Sequence, residues 1–313
     1  MSVRVLVTEP IHADALTLLR DAGLEVTEGQ GLASDAFDAA LRAAEVILVR
    51  TRKLPEAAMA TPLRLVSKHG TGVDNIPLAA ARAAGVAVTN TPGANAAGVA
   101  EHTLMLMLAL AKRLPAMQAA ARESGAVPPG AGIADLAGRR LLLLGYGAIA
   151  RRVAGLASAF GMRVTVLSRS LAGARTAEGY AIAADLHAAL PEADVLSLHV
   201  PLTETTRGMI GAAELALLPP GALVINTARG GLIDEAALAA ADHLGGIALD
   251  VTEAEPIPRD HPLLNRPDAI LTPHSAAMSA GAFRQMGMDA AQNVLDFLAG
   301  RLDPAKVVVP PPG

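Results

Sequence analysis

Cysteine and tryptophan are absent from this 313-residue chain, and its aromatic side chains are two tyrosines and four phenylalanines. Without cysteine there are no disulfides, no thiolate nucleophile and no cysteine-ligated metal. With so few aromatics, Ala, Leu and Val must build the core. No basic run occurs, and 26 Lys and Arg against 30 Asp and Glu leave a formal charge of −4. Nucleic acid and anionic membranes are therefore not expected as partners. The longest apolar stretch, Leu104 to Ala111, is too short to span a bilayer. The opening, Met1-Ser2-Val3-Arg4-Val5-Leu6-Val7, has a strand pattern without signal-peptide architecture, so a cytoplasmic protein is expected. The length predicts two domains.

What the chain does contain is alternation. Short β-branched or Leu-rich runs exchange with Ala-rich helical stretches, the pattern of parallel sheets covered by helices. A first series comprises Arg4–Thr8, Leu24–Thr27, Val46–Arg50, Arg64–Ser67 and Val86–Thr89. A helix starting near Asn95 is apolar all round, which predicts burial. After an irregular Pro/Gly segment, Ser124 to Gly130, six further strands are expected: Arg140–Leu144, Arg163–Leu167, Val195–Val200, Ala222–Asn226, Gly246–Asp250 and Ala269–Leu271. Six is the strand count of a dinucleotide-binding sheet. A last helix, Ala282–Leu298, precedes a Pro-rich tail and is placed to return the chain to its first body. The Met residues at 105, 107, 286 and 288 read as helix-packing filler.

The run Leu141 to Leu144 leads into Gly145-Tyr146-Gly147-Ala148-Ile149-Ala150 and then a helical pattern. A Gly-x-Gly-x-x-Ala fingerprint requires this strand–turn–helix context. Gly145 permits the tight turn and Gly147 the approach of a pyrophosphate to the helix amides; an ordinary tight turn is the bland alternative. Some twenty residues on, an NAD site carries Asp or Glu for the ribose hydroxyls. This chain has Ser168-Arg169-Ser170. With no carboxylate to repel a 2′-phosphate, the segment favours NADP(H) over NAD(H), unless Arg169 is simply a solvated loop residue.

Three later runs each end in a chemical group. Leu223 to Thr227 leads to Arg229, Gly246 to Asp250 leads to Glu255-Pro256, and Ala269 to Pro273 delivers His274. As neighbouring parallel strands they would bring a cation, a carboxylate and an imidazole to one mouth. A guanidinium forks a carboxylate, and a carboxylate-paired imidazole moves a proton near neutral pH. That is equipment for redox chemistry on a hydroxy or keto acid. Each residue has a plainer reading: Arg229 before Gly230-Gly231 as a turn pin, and Glu253 as a rival to Glu255. Arg50 and Arg52 either hold a second anionic group or are surface charge. His102 is expected to be a satisfied interdomain histidine. His12, His69, His187, His243 and His261 are expected on the surface or in loops. No metal site is expected.

Taken in order, Gly70-Thr71-Gly72-Val73-Asp74-Asn75-Ile76, Asn90-Thr91-Pro92-Gly93, Asn95 through Glu101-His102, the Gly145 loop, His199-Val200-Pro201-Leu202-Thr203, Asn226 to Gly230, Asp250 to Pro256 and Thr272-Pro273-His274 resemble the D-2-hydroxyacid dehydrogenase family. That group contains D-3-phosphoglycerate dehydrogenase and glyoxylate/hydroxypyruvate reductase. The resemblance implies an α/β protein with two doubly wound parallel-sheet domains. A Rossmann cofactor domain, 100–284, is inserted into a discontinuous flavodoxin-like substrate domain, 1–99 plus 285–313, with the site in the cleft. It also implies a homodimer joined through the cofactor domains. Carried over by position, Arg229 binds substrate, His274 binds it as acid/base, and Glu255 supports His274. Gly145, Gly147, Ala148 and Ile149 would bind cofactor, as would His199, Val200, Pro201, Thr227 and Ala228. Asp250, Ser275 and Ala276 would line the nicotinamide, and Gly70, Thr71 and Gly72 would face substrate, with Thr71 also near the cofactor. Two departures are noted. Ser168 stands where NAD-dependent members carry Asp, and with the sequence ending after the last helix the extra regulatory domain of some phosphoglycerate dehydrogenases is not expected.

The leading expectation is an NADPH-dependent 2-keto acid reductase acting on glyoxylate or hydroxypyruvate. NAD-dependent oxidation of 3-phosphoglycerate is the second enzyme reading, needing extra cations such as Arg50 or Arg52. A nucleotide-sensing, corepressor-like binding protein is the alternative of a different class.

Overall fold

In a computed structural model, which describes residues 2–312, contacts divide the chain into two units, Met1–Asn95 with Met278–Gly313 and Ala96–Ala277. The first unit begins β1 (Arg4–Val7), α1 (Ala13–Asp21), β2 (Glu25–Glu28), α2 (Ser34–Ala43), β3 (Val46–Val49), β4 (Leu65–Lys68), α3 (Leu78–Ala84) and β5 (Ala87–Thr89). The second unit opens with α4 (Ala96–Ala111) and α5 (Leu114–Glu123), then β6 (Arg140–Leu144), α6 (Ala148–Ala159), β7 (Arg163–Leu167) and β8 (Ala181–Ile182). It continues with α7 (Leu186–Ala189), β9 (Val195–Leu198), α8 (Ala212–Leu217), β10 (Leu223–Asn226), α9 (Glu235–Ala239), β11 (Gly246–Leu249) and β12 (Ala269–Leu271). The chain then returns to the first unit as α10 (Ala280–Leu298) and β13 (Val307–Val309).

The first sheet runs β13-β5-β4-β3-β1-β2, with only β13 antiparallel. Without β13 this is the flavodoxin-like order. The second sheet, β12-β11-β10-β9-β6-β7-β8, is parallel throughout. It is the dinucleotide-binding order extended by one strand. Both sheets are covered on two faces, which is why their strands read as continuous apolar runs. Successive residues serve opposite faces. Val46 and Leu48 pack with Val294 of α10, while Ile47 and Val49 pack with Phe37 of α2. Leu141 and Leu143 face Met107 and Val153, while Leu142 and Leu144 face Leu215 and Leu238.

The structure departs from the sequence reading in several places. The second sheet has a seventh strand, β8, only two residues long, and the Pro-rich tail contributes β13. β9 stops at Leu198 and β11 at Leu249, so His199, Val200 and Asp250 lie beyond their strands. α10 starts two residues early, capped by Ser279, whose Oγ accepts from the Ala282 amide at 3.2 Å. Met107 and Met286 are core residues, but Met105 is exposed. His69, expected on the surface or in a loop, lies in the loop after β4 and is buried there, 2% exposed. It follows a strand whose polar residues are paired inside, Ser67 Oγ donating to the Ala290 carbonyl at 2.8 Å and Lys68 Nζ to Asn75 Oδ1 at 2.8 Å. Among the described residues no single helix is long and apolar enough to cross a membrane. α4 has the composition of a core helix, with both Leu106 and Met107 fully buried.

Candidate active site

In the second sheet the strand order reverses between β6 and β9, and ligands of such sheets bind outside the carboxyl ends at that point. Gly145 leaves β6 with φ 95°, and a Cβ there would lie 2.5 Å from the His199 carbonyl oxygen. Only glycine fits so close to the exit of β9. Gly147 caps α6 without a side chain, and the space beside it is open. The first amides of that helix, at Ala148 and Ile149, have no partner within the helix and point at an anion's natural place. The residues present therefore fit a dinucleotide pyrophosphate. The loop is braced by Tyr146, whose hydroxyl donates to Glu178 Oε2 at 2.8 Å, while Arg151 Nη1 donates to Glu178 Oε1 at 2.8 Å. Beside it, His199 Nε2 lies 2.9 Å from Ser197 Oγ, and burial pushes its ring down to about 4. Thr206 Oγ1 holds the Pro201 carbonyl at 2.7 Å, just after Val200.

β10, β11 and β12 are adjacent and parallel, so the groups that follow them share one edge. His274 Nδ1 lies 2.8 Å from Glu255 Oε2, with both side chains about two-fifths exposed at 44% and 41%. A carboxylate only accepts, so Nδ1 carries the hydrogen and Nε2 is left for a substrate. Burial raises the Glu255 carboxyl. The hydrogen bond and charge of His274, the Thr252 amide and the charge of Arg229 outweigh it, holding Glu255 below the usual carboxylate range. The Arg229 guanidinium, partly buried, also donates to the Ala228 carbonyl at 2.6 Å. Cation, carboxylate and imidazole are thus electrostatically coupled at the strand ends of one unit.

Each of the three loops is fastened from below. Asn226 ends β10, accepting from the Ala228 amide at 3.0 Å and donating to the Arg229 carbonyl at 2.7 Å. Thr227 Oγ1, buried, meets Thr103 Oγ1 of α4 at 2.9 Å. A Cβ on Gly230 would fall 2.0 Å from the Thr252 carbonyl carbon, so the Arg229 turn lies directly on the loop bearing Glu255. That loop is held again by Glu235, which accepts from the Glu253 amide at 2.6 Å and pairs with His261 at 2.9 Å.

The His274 loop is the most constrained. His274 has φ 51°, a left-handed conformation uncommon for a residue with a side chain. Its amide donates to the Asp250 carbonyl at 2.8 Å, and the Ser275 and Ala276 amides donate to the Asp250 carboxylate at 2.8 and 2.9 Å. Thr272 Oγ1 donates to the same carboxylate at 2.6 Å and lies 3.1 Å from His102 Nε2. Asp250 is 1% exposed. The amides of Ser275 and Ala276 are therefore committed to Asp250, and His102 is satisfied within its own unit.

Ser168 Oγ lies 3.0 Å from Ser170 Oγ beyond β7, and Arg169 between them is exposed, with no ion pair among the described residues. In the first unit, Arg50 follows β3, and Gly70, Thr71 and Gly72 follow β4. The Gly70 amide donates to Thr91 Oγ1 at 3.0 Å, and Asn90 Nδ2 to the Thr71 carbonyl at 2.7 Å, so that turn is stitched to the end of β5. Sequence reasoning missed Glu9. Its carboxylate accepts the amides of Arg50, Thr51 and Arg52 at 2.9, 2.7 and 2.8 Å. Burial raises its carboxyl, but the Thr51 hydroxyl, these amides and Thr8 lower it to about 2. Its only sequence signal was an acid two residues after β1, at the point where the first sheet's order reverses. Among the described residues no group of three His, Asp or Glu could hold a metal.

A seven-stranded doubly wound sheet with a Gly-x-Gly turn at its switch point defines a dinucleotide-binding protein. Residues 104–276 match the family model for the NAD binding domain of D-isomer specific 2-hydroxyacid dehydrogenases. The chain is 36% identical over 312 residues to D-3-phosphoglycerate dehydrogenase of Methanocaldococcus jannaschii, covering 96% of this chain and 58% of that one. It is 38% identical over 257 residues to glyoxylate reductase of Aeropyrum pernix, covering 79% and 77%. A solved structure of a protein from Thermus thermophilus matches with a TM-score of 0.89 at 38% identity, over 98% of this chain and 100% of that one. The chain belongs to the D-isomer specific 2-hydroxyacid dehydrogenase family, and its cofactor class is a nicotinamide dinucleotide. It spans about 58% of the length of the D-3-phosphoglycerate dehydrogenases it matches.

Proposed function

We propose that the protein is an NADPH-dependent reductase of small 2-keto acids, of the glyoxylate and hydroxypyruvate type. The observation that carries the reading is the 2.8 Å pair of Glu255 and His274, set beside Arg229 at the carboxyl ends of three neighbouring strands. When bound, the nicotinamide supplies the hydride for reduction and takes it up in the reverse direction. Arg229 binds the substrate carboxylate and orients the carbonyl; such orientation is a large part of the available rate gain. His274 Nε2 gives its proton to the carbonyl oxygen as that oxygen gains charge, and recovers it when the alcohol is oxidised. Glu255 keeps Nδ1 protonated and stabilises the cationic ring. Asp250 acts through the His274 loop.

The phosphorylated cofactor is favoured by Ser168, Arg169 and Ser170, where nothing acidic opposes a 2′-phosphate. A homodimer formed through the second unit is part of the proposal, supported by the exposed apolar side chains Leu114, Val127 and Ile133 there. The cytoplasm is its proposed location. NAD-dependent oxidation of 3-phosphoglycerate is the second reading, favoured by the Methanocaldococcus relative and by Arg50 and Arg52.

The test is a matrix of NADPH and NADH against glyoxylate, hydroxypyruvate and phosphohydroxypyruvate, read by cofactor absorbance. Reduction of an unphosphorylated acid is expected, with kcat lowered by about 10²- to 10⁴-fold in His274→Ala. Wild-type turnover by that variant would remove the assignment.

A further inference from the structure

Glu235 opens α9, yet neither of its carboxylate oxygens serves that helix. Asp234 already caps it, accepting from the Ala236 and Ala237 amides at 3.0 Å. The Glu235 side chain, 10% exposed, turns both oxygens to the loop that bears Glu255. Oε1 accepts from the Glu253 amide at 2.6 Å, and Oε2 lies 2.9 Å from His261 Nε2. One carboxylate therefore joins a residue just before Glu255 to one shortly after it. His261 is set for this contact. Its Nδ1 accepts from the Leu263 amide at 3.4 Å, so Nδ1 holds the lone pair and Nε2 the hydrogen that Glu235 accepts. Leu263, 1% exposed, packs in one core cluster with Leu238 of α9, which fixes the foot of the loop to the sheet. At the tip, the Thr252 amide donates to Glu255 Oε1 at 3.3 Å, and Oε2 is left for His274 Nδ1 at 2.8 Å.

We propose that Glu235 is a positioning residue for the acid/base pair: with His261 it clips the loop 253–261 so that Glu255 stays on the Nδ1 of His274. The inference rests on the reductase reading and adds two residues to its site. Glu255 and His274 are each about two-fifths exposed, so packing does not hold them together. An ion pair that open to water contributes little to its own geometry. The 2.8 Å contact must therefore be set by the backbone beneath Glu255, and that backbone is fastened by Glu235. The clip needs a carboxylate, since both of its partners are donors. A Gln there accepts from the Glu253 amide, but its amino group then faces the hydrogen on His261 Nε2. Turning the ring's hydrogen to Nδ1 only moves the conflict to the Leu263 amide. The arrangement differs from simple stabilisation in one respect: its effect on turnover passes through Glu255 and vanishes without it.

The experiment measures kcat and KM for the 2-keto acid that the wild type reduces fastest. The full chain is compared with Glu235→Ala, Glu235→Gln, His261→Asn, Glu255→Gln and the double variant Glu235→Ala/Glu255→Gln. In Glu235→Ala, kcat is expected to fall about ten- to a hundredfold, with KM changed less than about threefold. KM is spared because Arg229 keeps its own anchor in Asn226. Glu235→Gln, which still holds the Glu253 amide, recovers kcat to within about fivefold of wild type. Asn at 261 still caps the Leu263 turn but is too short to reach Glu235, so His261→Asn lowers kcat by about threefold or more. In the Glu255→Gln background, Glu235→Ala costs less than about twofold further. Losses that multiply in the double variant, or wild-type kcat in Glu235→Ala, overturn the proposal. Should Glu235→Ala fail to fold, His261→Asn combined with Glu255→Gln decides by the same rule. Hydrogen exchange over residues 252–258, read without substrate, separates the clip from the reductase reading. Exchange there about tenfold faster in Glu235→Ala, in a chain that reduces no keto acid, keeps the clip and removes the enzyme. Unchanged exchange removes the clip and leaves any reductase activity standing.

Discussion

Replacing Asp250 with Asn tests whether the acid/base loop is held by a buried carboxylate. Asn keeps one acceptor oxygen and exchanges the other for an amino group. Because Oδ1 serves Thr272 and Ser275 while Oδ2 serves Ala276, one backbone donor must then face a donor. A hydrogen bond to a charged acceptor contributes about 1.5–3 kcal/mol, and an orphaned buried donor costs a similar amount. A loss of about 2 kcal/mol is expected, lowering the melting midpoint by about 4–8 °C. The catalytic effect comes from His274, whose φ of 51° costs an L-residue about 1–2 kcal/mol. Released from Asp250, the loop leaves that conformation for a cheaper one, and kcat falls about 5- to 30-fold. The readouts are kcat and KM for a 2-keto acid, together with thermal unfolding. A variant with kcat within about twofold of wild type and an unchanged midpoint would refute the claim that Asp250 positions His274.

Gly230→Ala would drive its Cβ to 2.0 Å from the Thr252 carbonyl carbon and 2.4 Å from the Glu253 nitrogen. The Arg229 and Glu255 loops must then separate, costing about 1–3 kcal/mol in urea unfolding and at least about tenfold in kcat/KM. Glu9→Gln is expected to cost about 1–2 kcal/mol at neutral pH, a figure reduced for solvent screening. Since the native carboxyl lies near 2 rather than 4.5, this stabilisation is complete above the unfolded value and fades as pH falls between the two. Urea unfolding of wild type and variant should accordingly converge near pH 2, and a constant gap would sink the assignment. Arg169→Asp should raise the KM for NADPH about ten- to a hundredfold while leaving NADH unharmed; equal losses with both cofactors would remove the phosphate reading.

What the sequence shows and hides follows from the range of each interaction. The strands of both sheets were legible because burial on two faces makes them apolar at every position, as in Val46–Val49 and Leu141–Leu144. Arg229, Glu255 and His274 were legible because each follows such a run. β8 was not, since two residues, Ala181 and Ile182, make no pattern. The burial of His69, in the loop after β4, was not legible, because the polar Ser67 and Lys68 precede it. The partner that lets Ser67 be buried, Ala290, lies 223 positions away. The roles of Glu9 and Asp250 were hidden for the same reason, since their partners belong to neighbouring strands.

Those two carboxylates solve one physical problem twice. A parallel sheet exposes its loops at the strand ends, where ligands bind and where the backbone has the fewest partners. In the first unit Glu9, after β1, accepts three successive amides from the loop after its neighbour β3. In the second, Asp250, after β11, accepts from the loop after its neighbour β12 through both its carbonyl and its carboxylate. Successive amides pointing inward form a nest for an anion. When that anion is a side chain of the next strand, the loop becomes rigid without a ligand. The conformation of His274 is therefore set without a ligand, as its proposed acid/base role requires, and its strain is borne by Asp250.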